Sequence, residues 1–162
     1  MKKISLYLML FFFLTTTGCY YSAPPEQEYV QEQFDQNAYE IQTVVSFLEK
    51  LENPSVFITE ADGTMLVEFE EKIEEKIIDD PQVVLAANTL LKSKVYHHIC
   101  KIDNTIYLLQ WTGLQDISCG IAYTINKVDL PQVIYTTQLL PLSNEGWYYY
   151  VADYELWRNQ NS

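Results

Sequence analysis

Thr105–Ile125 reads TIYLLQWTGLQDISCGIAYTI, two runs of branched and aromatic residues either side of Gly113-Leu114-Gln115-Asp116. Residues of these types favour a pleated, half-buried backbone, and a link this short joins antiparallel neighbours. The stretch therefore predicts two adjacent strands, Thr105–Thr112 and Ile117–Ile125. The same pattern repeats on both sides. VYHHICKI (Val95–Ile102) precedes it across Asp103-Asn104; QVIYTTQLL (Gln132–Leu140) and WYYYVADYELW (Trp147–Trp157) follow, divided by Asp129-Leu130-Pro131 and Ser143-Asn144-Glu145-Gly146. The expectation for the C-terminal half is an antiparallel meander of about five strands.

The N-terminal half reads differently. Between Glu28 and Glu52 the apolar residues Val30, Phe34, Ala38, Ile41, Val44, Val45, Leu48 and Leu51 recur every three or four positions, one stripe of a helix that Asn53-Pro54 ends. Ser55–Phe69 predicts a hairpin about Asp62-Gly63, the preferred pair for a type I′ turn, with Ile58 facing Val67, Glu60 facing Met65 and Val56 facing Phe69. Glu70–Ile78, EEKIEEKII, reads as a charged surface helical turn. Asp80-Pro81 then gives an N-cap and a first-turn proline before Val83, Val84, Ala87, Leu90 and Leu91. The fold class is α+β: an N-terminal hairpin and a C-terminal meander, with two main helices packed on one face.

The chemistry offered by the folded part is sparse. His97, His98 and Cys100 form the one cluster of metal-ligand types, but a strand turns His97 away from the other two and zinc asks for more ligands. No metal and no catalytic residue is assigned. No G-x-S-x-G, H-E-x-x-H or glycine-rich phosphate loop occurs. The acids Asp153 and Glu155 lie in the aromatic run 147–157 and are the candidates for acid chemistry. In that run Trp147, Tyr149 and Trp157 share one strand face and form a candidate aromatic binding patch. Cys100 and Cys119 are a possible disulfide. On a simple meander one strand separates them by about 9–10 Å, beyond the ~7 Å that a disulfide spans. Either they stay free or the strand order is not the simple one.

The third cysteine has a different setting. Met1-Lys2-Lys3 is basic, Ile4–Leu14 is an apolar run of about eleven residues, too short to span a bilayer comfortably, and Thr16-Thr17-Gly18-Cys19 follows. This leader resembles the lipobox of bacterial lipoproteins, with the small residues Thr17 and Gly18 before the cysteine and Thr16 where that family usually carries Leu. The resemblance covers the first twenty residues or so. It implies a signal peptide over 1–18, a diacylglycerol-bearing Cys19 as the sole cofactor-like group, and a place in the bacterial cell envelope, the outer membrane in a Gram-negative cell. Residues 19–28 then make a lipidated, flexible Pro- and Ser-containing tether, 29–158 a single domain, and 159–162 a tail.

The whole chain has 162 residues, a one-domain length, and a formal charge of −12. Removal of Lys2 and Lys3 with the leader leaves 8 basic against 22 acidic groups, −14, which disfavours nucleic acid and anionic lipid. Three functions fit: a lipid-anchored, non-catalytic binding domain for an envelope or extracellular protein or ligand; an acidic inhibitor of a basic enzyme; or a hydrolase on an unrecognised scaffold using Asp153 or Glu155.

Overall fold

A computed structural model describes residues 23–70, 74–93, 95–113 and 117–161. Cys19 and the 1–18 leader lie outside these residues. Among the described residues the chain forms helices α1 (Gln27–Gln36), α2 (Ala38–Leu48), α3 (Pro81–Lys92) and α4 (Tyr154–Asn161). Its strands are β1 (Ser55–Ala61), β2 (Thr64–Phe69), β3 (Glu74–Ile77), β4 (His98–Ile102), β5 (Thr105–Thr112), β6 (Ile117–Thr124), β7 (Thr136–Pro141) and β8 (Trp147–Asp153). All pair antiparallel in one eight-stranded sheet of order β3-β2-β1-β4-β5-β6-β8-β7. The α+β class holds, on a sheet larger than the five-strand meander.

The hairpin forms in the expected register, with Ile58 opposite Val67 and Val56 opposite Phe69. Asp62 (φ 52) and Gly63 (φ 79) both take the left-handed backbone of a type I′ turn. Asp80 caps α3 by accepting the backbone N–H of Gln82 at 2.9 Å.

Three elements depart from expectation. The 28–52 stripe is two helices, broken at Asn37, whose side-chain amide donates to the Gln33 carbonyl at 2.7 Å beside its own backbone N–H at 3.2 Å. Glu74–Ile77 is not helical but an edge strand on β2, exposed along its whole length, and the next residue, Ile78, is buried and donates to the Met65 carbonyl at 3.1 Å. The last strand stops at Asp153, whose carboxylate accepts the Leu156 N–H at 2.8 Å and starts α4, so 159–161 belong to a helix and not to a tail. At the other end, helix begins at Gln27 and the Pro25 carbonyl accepts from the Tyr149 hydroxyl at 2.7 Å, so Pro25 and the start of α1 are held against the domain.

The strand order departs as well. β4, β5 and β6 follow one another, but β8 lies between β6 and β7. Residues 125–135 therefore carry the chain from β6 past the position β8 will take.

Helices α1, α2 and α3 cover one face of the sheet. Val30 and Phe34, Ile41 and Leu48, and Ala87 and Leu90 share one core with Ile58, Ile99, Leu108, Ile121 and Trp147. Phe34 and Trp147 have ring centroids 4.8 Å apart. Fully buried Leu or Ile side chains of this kind each contribute roughly 1.5–3 kcal/mol. Lys101 also sits on this side, 6% exposed, and its ammonium donates to the Leu51 carbonyl beyond the end of α2. A bulge between Leu109 and Trp111 lets β5 and β6 approach closely at Gly120, where a Cβ would lie 2.2 Å from the Leu108 carbonyl oxygen. Only glycine fits there.

Candidate functional site

The face of the sheet opposite the helices bears the candidate site. Alternation along the strands puts Cys100, Tyr107, Ala122, Tyr150 and Ala152 on this side while their neighbours enter the helical core. Ala122, Tyr150 and Ala152 are buried in a second, small cluster with Tyr107, Val133 and Leu139. Tyr107 and Tyr150 meet edge-on with centroids 6.2 Å apart.

The segment 125–135 forms the lid of that cluster. It is pinned where the Tyr107 hydroxyl donates to the Gln132 carbonyl and the Gln132 N–H donates to Thr105 Oγ1 at 3.2 Å. Beside it lies an open cavity of about 530 Å³, with His98, Cys100, Tyr107, Leu109, Val133 and Tyr150 among its walls. Its rim is apolar: Ile134 is 71% exposed and Ile102 43%. Farther along the segment Val128 stands 90% exposed.

Asp103 is the one acid among the residues that line this groove. Burial pushes the Cys100 thiol up to about 11. Burial first, and the nearby Cys100 and Asp103, raise Tyr107 against the lowering bond from Thr105; burial also raises Tyr150. These groups keep their protons at neutral pH, so Cys100 is a small apolar wall there and not a thiolate nucleophile. The arrangement suits desolvation of an apolar or aromatic group beside a few polar groups.

The residues singled out in the sequence come to different places. Trp147 and Tyr149 are buried in the helical core, and Trp157 is on α4, so the proposed aromatic patch of Trp147, Tyr149 and Trp157 does not form; the strand ends before Trp157 and its shared face is the inward one. Trp157 instead joins Tyr135 and Tyr154, with centroids 5.2 and 4.8 Å from the Tyr135 ring. Cys100 and Cys119 are free thiols, with β5 between them and their side chains on opposite faces, so the possible disulfide is not made. Burial holds Cys119 at about 12. Asp153 caps α4 while lining a cleft with Pro24 and Pro25, and Glu155 pairs with Arg158 at 2.5 Å, so both acids have structural partners. His98 lines the groove, and the described residues hold no group of three or more His, Cys, Asp or Glu side chains placed to bind a metal.

A second feature lies at the far edge. Glu68, Glu70, Glu74 and Glu75 surround Phe57 and Phe69 in a cleft of about 310 Å³. Part of this charge is engaged, by Thr59 on Glu68 at 2.6 Å and Lys76 on Glu74 at 3.2 Å.

The groove residues were missed at the sequence level because Tyr107, Ala122 and Tyr150 become neighbours only through the strand order. A signal was present in Val128, Leu130 and Ile134, apolar side chains in a segment punctuated by Asp129 and Pro131. Among the described residues no helix is long and apolar enough to cross a membrane. Comparison with protein-family models, curated proteins and solved structures returns no match.

Proposed function

We propose that this chain is a bacterial envelope lipoprotein, acylated on Cys19, whose α+β domain binds an apolar or aromatic group of an envelope or extracellular partner in the groove beside segment 125–135. The observation that carries the binding half is the mainly apolar cavity of about 530 Å³ on the helix-free face. The tether half rests on the basic and apolar leader and on Thr17-Gly18-Cys19.

Each half has its own test. Intact mass and detergent partitioning of the wild-type chain against Cys19→Ser check the tether: the expected result is a diacylglycerol-sized mass increment and a detergent-phase protein, both lost in the variant. A water-soluble, unmodified wild type with Cys19 present sinks it. For the groove, an aromatic dye such as 8-anilinonaphthalene-1-sulfonate binds the native protein and shields Cys100 from alkylation, and Ala152→Trp, which fills the floor, abolishes both effects. Dye binding unchanged by that substitution removes the groove as the site.

A second reading has one observation in its favour. The glutamate-lined cleft around Phe57 and the charge of −14 without the leader suit an acidic inhibitor of a basic enzyme. Binding to a cationic probe protein such as cytochrome c that disappears in Glu68→Gln/Glu74→Gln and in high salt supports it; retention of binding under both conditions rules it out.

A further inference from the structure

We propose that the end of the sheet carrying α4 is the domain's membrane-facing end, with Tyr135, Tyr154, Leu156 and Trp157 seated at the headgroup level of the bilayer. The inference rests on the acylation of Cys19 proposed above, and two independent observations lead to it.

The first is where the chain enters the domain. Ala23 stands four residues after Cys19 (23 − 19 = 4), so at most about 14 Å separates their Cα atoms. From Ala23 onward the path is fixed. Pro25 is held by Tyr149, and the Gln27 side-chain amide donates to the Pro141 carbonyl at 2.9 Å. Pro24, Pro25 and Gln27 share one cleft of about 570 Å³ with Ile117, Asp153 and Leu156. An acyl anchor on Cys19 therefore enters the bilayer within a short reach of α4, and this end of the molecule cannot be far from the lipid.

The second is the chemistry displayed there. Helix α4 has no buried residue, and Leu156 is 45% exposed. Tyr135 holds φ 57, a left-handed backbone that a bulky side chain seldom adopts, and its ring meets both Tyr154 and Trp157 while remaining 41% exposed. A rigid, half-exposed cluster of two tyrosines and a tryptophan has the amphipathic character that favours the membrane interface. The neighbouring charges are compatible with that depth. Arg158 lies 5.8 Å from the Tyr154 ring centroid and pairs with Glu155, and the Asp153 carboxylate is turned onto the Leu156 N–H. Because the domain is strongly acidic, the surface it fits is zwitterionic.

The experiment uses the full chain in phosphatidylcholine vesicles brominated near the top of the acyl chains, with intact mass recorded on the same sample. Trp111 and Trp147 pack into or against the helical core, so quenching reports mainly on Trp157. The expected result is strong quenching of the wild type, most of which is lost in Trp157→Phe. In the unlipidated Cys19→Ser chain, weak partitioning to vesicles persists and falls roughly tenfold in Leu156→Glu. A lipidated chain whose quenching is the same with and without Trp157 overturns the interface and leaves the tether standing. An unlipidated wild type that still shows Trp157 quenching on added vesicles overturns the tether and retains the interface. Neither lipidation nor quenching overturns both. Quenching that vanishes on dilution with the appearance of monomer assigns α4 to a contact between copies and overturns the proposal.

Discussion

At the scale of single residues, two buried groups make measurable predictions. Tyr96 is fully buried and its hydroxyl has no hydrogen-bond partner, while burial drives its pKa upward. An unsatisfied buried hydroxyl carries a desolvation cost, so Tyr96→Phe is expected to leave stability unchanged or raise it by up to about 1 kcal/mol in urea unfolding. A loss of more than that shows that the hydroxyl has a partner. Cys100 and Cys119 make the second. Their folded values, about 11 and about 12, exceed the ordinary 9.0 of an unfolded thiol. The folded state thus keeps protons that the unfolded chain releases, and stability is whole below about pH 9 and declines as pH rises through about 11 and then about 12. Tyr149, held by burial at about 12 against 10.0, adds to the same decline. The expected observations are a thermal midpoint flat from pH 7 to 9 that falls above it, and slow alkylation of both thiols at pH 8 until denaturant is added. A folded chain whose Cys119 is alkylated at pH 8 as fast as a free thiol contradicts its burial.

At the scale of elements, legibility depended on whether an element's sequence reports its own surroundings. The hairpin and α3 were readable because Asp62-Gly63 and Asp80-Pro81 act locally, through backbone sign and a capping carboxylate. β3 was not. An edge strand exposed on both sides has no apolar alternation, and its glutamates look the same on a helix. Its charges also discourage pairing with another chain along that edge. α4 was hidden in a run of aromatics, where Asp153 looked like a strand residue and is an N-cap. This gives a prediction for the element: Asp153→Ala removes a cap worth about 1 kcal/mol from a helix with no buried residue. Amide exchange should accelerate over 156–161 while β5 and β6 keep their protection. Matching acceleration in the sheet shows instead that α4 is part of the global unfolding unit.

At the scale of the whole molecule, class and layering followed from composition and period, whereas the groove did not. Tyr107 and Tyr150 are 43 positions apart in sequence (150 − 107 = 43) and face each other because β8 takes the place next to β6. No local pattern encodes that choice. Charge is also a property at this scale. With −14 on the chain without its leader, self-repulsion opposes compaction, and its range is about 10 Å at 0.1 M salt. The thermal midpoint is expected to climb as sodium chloride rises from 10 mM to 0.5 M; a midpoint that stays level or drops means that paired charges outweigh the repulsion. The insertion of β8 between β6 and β7 has one more consequence, which concerns the order of synthesis. The strand that emerges last among the eight is an interior one, so a polypeptide stopped at Gly146 lacks not a rim of the sheet but the partner of two strands. Such a fragment also lacks the Tyr149 hydroxyl that donates to the Pro25 carbonyl. A ribosome must therefore release residue 153 before the N-terminal segment has its seat, and nonsense mutations anywhere upstream should behave as complete loss-of-fold alleles.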